Sequence, residues 1–131
     1  MRAAIALLML PLLAAPLPAH AEDAGFMLCE ALPHQTCVWS GDSFYLRGKL
    51  VRLADAVTPG RYTSACPNAS QLSWRSALRL RDLLNTAPFE IGDPDGSELA
   101  EVSRDGQSLG AQLIAEGLAR ARTPEAPNWC E

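Results

Sequence analysis

The sequence predicts an α+β domain dominated by a small β-barrel, and three observations predict it. Short β-prone runs alternate with tight turns from Cys37 to Ala54. A stretch of helical period follows the third run, and a second such stretch follows the fifth. Three strands before any helix fit a helix-capped barrel better than a parallel α/β sheet.

The elements follow in order. Cys37-Val38-Trp39 is the first strand, Ser40-Gly41-Asp42 a turn, and Ser43-Phe44-Tyr45-Leu46 the second strand. Arg47-Gly48-Lys49 turns again into a third strand, Leu50–Ala54. Thr58–Pro67, with two prolines and a glycine, is a loop. Asn68 and Ser70 are candidate N-caps of a helix whose face carries Trp74, Ala77, Leu80 and Leu84, ending near Leu84 or Asn85. Phe89-Glu90-Ile91 and Glu98–Val102 are strands joined by the turn Gly92-Asp93-Pro94-Asp95-Gly96. Ser108 caps a second helix carrying Leu109, Leu113, Ile114 and Leu118, and Trp129-Cys130 docks an irregular tail. Phe44, Trp39 and Trp74 read as core residues, and His34 as a surface residue.

Met1–Ala21 has the anatomy of a secretory signal peptide. Arg2 precedes an apolar run, Pro16 and Pro18 interrupt it, and Ala19-His20-Ala21 is a small-x-small cleavage signal. The run is short for a membrane span, which needs about 20 residues. Residues 22–131 are then one exported domain, periplasmic or secreted, with no membrane span after cleavage. A chain of 131 residues excludes a two-lobed dinucleotide-binding enzyme or a polytopic membrane protein.

All four cysteines, Cys29, Cys37, Cys66 and Cys130, lie in that domain, and an even count in a small exported chain predicts disulfides. Three pairings are open. Cys29–Cys37, closing a short loop, with Cys66–Cys130, tying the C-terminus to mid-chain, is the favoured one. Zinc is disfavoured, because no C-x-x-C pair exists and His34 is the sole histidine after cleavage.

The net charge of −4 hides a strong asymmetry. Between positions 47 and 81 stand Arg47, Lys49, Arg52, Arg61, Arg75, Arg79 and Arg81 against Asp55 alone. Such a segment makes an anion-facing patch even on an acidic protein, with Arg61, Arg75 and Arg79 as candidate anion-binding residues. Net acidity makes the chain a weak non-specific partner for nucleic acid.

Ser40-Gly41-Asp42-Ser43-Phe44, Val51-Arg52-Leu53-Ala54-Asp55-Ala56-Val57-Thr58-Pro59-Gly60, Cys66, and Ser108-Leu109-Gly110 with Glu116-Gly117-Leu118-Ala119-Arg120 resemble the staphylococcal nuclease (thermonuclease) family. The small exported bacterial members, which end in Trp-Cys, resemble it most, over roughly Cys29–Cys130. The resemblance implies an OB-like five-stranded barrel with two or three helices. It also implies a calcium-dependent phosphodiesterase whose members read D-G-D-T in the first turn, R-[IL]-x-x-[IV]-D-[AT]-P-E after the third strand, and D-x-Y-G-R before the last. In that family carboxylates hold calcium, the Glu of P-E is the general base, and two arginines clamp the phosphate.

Asp42 and Arg52 match the turn aspartate and the first arginine, as remnants of metal site and phosphate clamp. Thr58 and Pro59 match as well. The second metal carboxylate falls on Val57, the general base on Gly60 and the second arginine on Ser97. Calcium takes 6–8 oxygen ligands, and valine offers none. Glycine accepts no proton from water, where a general base contributes about 10²–10⁴-fold. Serine cannot replace a bidentate guanidinium. Asp55 is a speculative substitute metal ligand, two positions before Val57 and so on the same side of an extended strand.

The expectation is therefore a binding or interaction module that has lost phosphodiesterase activity, needs no cofactor, and takes an anionic ligand, a nucleic acid or an envelope protein partner. The alternative is a weak, atypical calcium-dependent nuclease acting on DNA or RNA.

Overall fold

A computed structural model describes residues 25–92 and 97–131. The signal-peptide expectation, and Asp93–Gly96 of the expected turn, lie outside these residues. The described chain is α+β, as expected, with nine strand segments and two helices.

The meander comes first. β1 (Met27–Leu28) pairs in parallel with β2 (Cys37–Ser40), and β2 pairs antiparallel with β3 (Ser43–Leu46). β3 pairs antiparallel with β4 (Lys49–Leu53), opposing Ser43 to Arg52 and Phe44 to Val51. Arg47 and Gly48 both hold positive φ in the turn between them. After β5 (Ala56–Val57) and a loop comes α1 (Pro67–Thr86), then β6 (Glu90–Gly92), β7 (Leu99–Arg104) and β8 (Gln107–Ser108). α2 (Leu109–Ala115) and β9 (Arg120–Ala121) complete the order.

The main sheet runs β1-β2-β3-β4-β7-β6, with β8 on β7, and the β4–β7 pairing is parallel. β5 and β9 form a separate two-stranded ribbon. Among the described residues the sheet ends at β1 and β6 and does not close.

Alternation places the core. Val51 and Leu53 of β4 are buried while Arg52 between them is half-exposed, the period-2 pattern of a one-sided strand. Phe44 is fully buried, as expected, edge-on to Phe26 at 5.6 Å and to Phe89 at 6.1 Å. Leu80, Leu83 and Leu84 of α1 and Leu109 and Leu113 of α2 cover this face.

Helix α1 buries Ala77, Leu80 and Leu84 of its expected face and departs from it at Trp74. Its buried stripe is Ala69, Ser73, Ser76, Ala77, Leu80, Leu83 and Leu84, and Trp74 stands outside it with 57% exposure. Small residues are needed there, because α1 approaches the β2–β3 turn closely. A Cβ built on Gly41 would sit 2.3 Å from Ser76 Oγ. The N-cap is Cys66, followed by Pro67, rather than Asn68 or Ser70. At the other end Arg104 donates to the carbonyls of Leu83, Ala87 (2.7 Å) and Pro88 (3.0 Å), a cationic cap on orphan helix carbonyls.

Both favoured disulfides are present, Cys29–Cys37 and Cys66–Cys130. The second anchors the tail at the start of α1, where Arg120 stacks on Trp129 at 4.7 Å and donates to the Asn128 carbonyl at 3.0 Å. No helix among the described residues is long and apolar enough to cross a membrane. The two disulfides fit an exported protein.

Candidate functional site

The β2–β3 turn, β4 and the loop after β5 meet around an open cleft of about 420 Å³. Its walls include Trp39, Ser40, Asp42, Ser43, Tyr45, Leu50, Arg52, Thr58, Gly60, Arg61 and Glu98. Of the expected site residues the fold thus brings together Asp42, Arg52 and Arg61, with Gly60 beside them. Val57, Ser97, Asp55, Arg75 and Arg79 do not line it.

Asp42 is bound into the turn. Its Oδ1 accepts from Ser40 Oγ at 2.6 Å, and Ser40 shares a second hydrogen bond of 2.6 Å with Ser43. Its Oδ2 accepts from the Thr58 backbone N–H at 3.4 Å and lies 3.9 Å from Arg122 Nη2. Its backbone carbonyl accepts from the Leu53 N–H at 2.8 Å, joining the turn to the end of β4.

Arg52 is different. β4 holds it between two buried neighbours, and its backbone N–H donates to the Glu98 carbonyl at 2.8 Å. Among the described residues its guanidinium has no hydrogen-bond or ion-pair partner. A half-exposed guanidinium on a cleft wall keeps all five of its N–H donors available, the donor set that oxyanions require.

Arg61 is committed to structure. It donates to the Cys29 carbonyl and to the Trp39 carbonyl (3.4 Å), and lies over Trp39 at 4.8 Å and Tyr62 at 4.7 Å. It divides the polar cleft from a second, more apolar one of about 260 Å³, lined by Trp39, Tyr62, Trp74 and Ala77 among others. The core expectation for Trp39 and Trp74 is corrected here. They are 37% and 57% exposed, and Tyr62 is 78% exposed. His34, expected at the surface, is half-buried between Trp39 (5.3 Å) and Tyr45 (5.0 Å).

Neither a protein-family model nor a curated protein matches the chain. Function rests on the geometry.

The remaining candidates are placed elsewhere. Asp55 turns toward the start of α2, where it accepts from Ser108 Oγ, and a Cβ on Gly110 would meet its Oδ1 at 2.1 Å. It serves the helix, since Ser108 Oγ in turn accepts from the Ala111 N–H at 3.1 Å. Arg79 pairs with Glu116 at 2.9 Å, and Arg75 is exposed on α1. Val57 pairs with Arg120 in the small ribbon, and Ser97 Oγ donates to the Leu99 carbonyl at 3.0 Å.

Two residues on the site were not singled out from sequence. Glu98 lines the cleft from the residue just before β7, whose start pairs with β4. Arg122 supports Asp42 from below, and donates to the carbonyls of Leu53 (2.9 Å) and Ala56 (3.2 Å). No local motif marks either one; the parallel β4–β7 pairing and the β5–β9 ribbon deliver them.

Proposed function

We propose that this chain is an exported, thermonuclease-like domain that binds a phosphate-bearing anion at Arg52 and does not hydrolyse it efficiently. The observation that carries the reading is the unpartnered Arg52 guanidinium on a cleft whose candidate base position is Gly60. A phosphate oxygen pair would satisfy the fork of Arg52. Gly60 is exposed, with nothing within 4 Å of where its Cβ would stand, so no side chain occupies the base position. Asp42, held by Ser40, Thr58 and Arg122, acts as a turn brace rather than a free metal ligand.

The five strands expected from sequence stand in the order β2-β3-β4-β7-β6, with a parallel β4–β7 pairing. That order supports an OB-like reading, since such barrels are partly open. On this account residues 1–21 are the leader that exports the domain.

Glu98 favours a second reading. A carboxylate on the same cleft as Arg52 and Asp42 could take the proton of an attacking water, making the chain a weak calcium-dependent nuclease. Incubating labelled DNA and RNA with the protein and calcium separates the two. The binding reading expects intact substrate with wild type. Cleavage that both Arg52→Ala and Glu98→Gln abolish would establish the nuclease reading instead.

A further inference from the structure

The stretch from Cys29 to Cys37 gathers soft and borderline metal donors. The ligand-competent atoms of Cys29, His34 and Cys37 lie within 4.8 Å of one another. The same three residues line an open surface cleft of about 250 Å³, together with Met27, whose side chain is exposed. His34 Nδ1 is buried without a hydrogen-bond partner among the described residues, which leaves a polar ring atom desolvated and unrewarded.

The backbone, not only the disulfide, keeps this trio together. β1 and β2 pair through Met27↔Cys37 and Leu28↔Val38, and the Cys29 N–H donates to the Val38 carbonyl at 2.9 Å. The connecting segment is tied to the β3–β4 turn. There the Gly48 N–H donates to the Gln35 carbonyl at 2.8 Å, and the Arg47 N–H to Thr36 Oγ1 at 3.3 Å. The His34 ring is held between Trp39 and Tyr45. Opening this short loop also releases less chain entropy than opening Cys66–Cys130, so the domain tolerates it better.

We propose that Cys29, His34 and Cys37 form a redox-gated site for Cu(I), closed while the disulfide is intact and opened by a thiol reductant. Two thiols R–SH supply two electrons and two protons: the Cys29–Cys37 bond breaks, two cysteine thiols form, and R–S–S–R leaves. Cu(I) then displaces the two thiol protons and takes both thiolates and a ring nitrogen of His34. Thiolate donors, with the thioether of Met27 on the same cleft, select a soft ion. Three protein donors suit Cu(I), whereas a structural zinc site requires four.

The test reduces the protein with excess thiol, desalts it without oxygen, and titrates Cu(I) against a chromophoric bathocuproine chelator. The reduced protein should withdraw one equivalent, and the oxidised protein none. Cys66→Ser/Cys130→Ser should retain that uptake, and Cys29→Ser/Cys37→Ser should lose it. His34→Ala keeps both sulfurs, so it decides the matter even if the double variant misfolds. It should weaken Cu(I) binding at least about tenfold, the lower end of what even an outer-shell loss costs, with an unchanged far-ultraviolet circular dichroism spectrum. Equal uptake by the oxidised protein, uptake that survives Cys29→Ser/Cys37→Ser, or undiminished affinity in His34→Ala would overturn the proposal.

Discussion

Arg122 stands beneath Asp42, its Nη2 3.9 Å from Asp42 Oδ2, while the same guanidinium donates to the Leu53 and Ala56 carbonyls. One cation from the C-terminal segment thus fastens the end of β4, the start of β5 and the β2–β3 turn. It also offsets the charge of Asp42, which leaves Arg52 as the cleft's cation without a partner among the described residues. Removing it should be felt as stability before function. Arg122→Ala should cost about 2 kcal/mol, the scale of charged hydrogen bonds, and lower the melting temperature by on the order of 10 °C. Calorimetry on the two proteins checks this, and an unchanged transition would show the contact to be incidental.

The close approach of α1 to the β2–β3 turn makes a second prediction. Gly41→Ala puts a methyl group against Ser76 Oγ and Thr58 Cγ2, at 2.3 and 2.7 Å before any relaxation. Overpacking of this kind costs typically about 1–3 kcal/mol. Gly60→Ala, with open space around it, should leave stability unchanged. Urea midpoints for the pair give the comparison, and equal midpoints would show that the helix can retreat without cost.

Asp55 supplies the third. Its hydrogen bond from Ser108 and its place against Gly110 make it part of the α2 N-terminus. Asp55→Ala should lower stability by about 1–2 kcal/mol, the range of a lost cap, and leave ligand retention by Arg52 unaffected. Thermal melts with and without calcium test this. A metal-dependent stabilisation that vanishes in Asp55→Ala, with no change in the apo melt, would restore Asp55 as a metal ligand.

Much of the sheet was legible because its strands obey simple rules. Ser43–Leu46 is bounded by two turns that the residues announce, and its limits agree with the structure. The four cysteines were legible through spacing, since a short loop and a long one were the favoured closures. Two-residue segments such as β5 and β9 carry no periodicity, so the ribbon that brings Arg122 to Asp42 is a product of tertiary pairing alone. α1 misled for a different reason. Its closest contacts are made by Ser73 and Ser76, which bury their hydroxyls by donating to the carbonyls of Gly60 and Ser73 at 3.1 Å. A hydrophobic template passes over such residues and credits Trp74 instead. Within the site, Asp42, Arg52 and Gly60 line one cleft that Val57 and Ser97 do not, and Glu98 reaches it where the start of β7 pairs in parallel with β4.

Binding of a labelled single-stranded oligonucleotide, followed by anisotropy with calcium present and by gel electrophoresis of the same samples, tests the central claim most directly. The account predicts retention that weakens as salt rises, falls at least severalfold in Arg52→Ala, and leaves the oligonucleotide intact. Calcium-dependent cleavage abolished by Arg52→Ala, or binding that Arg52→Ala does not change, would contradict it.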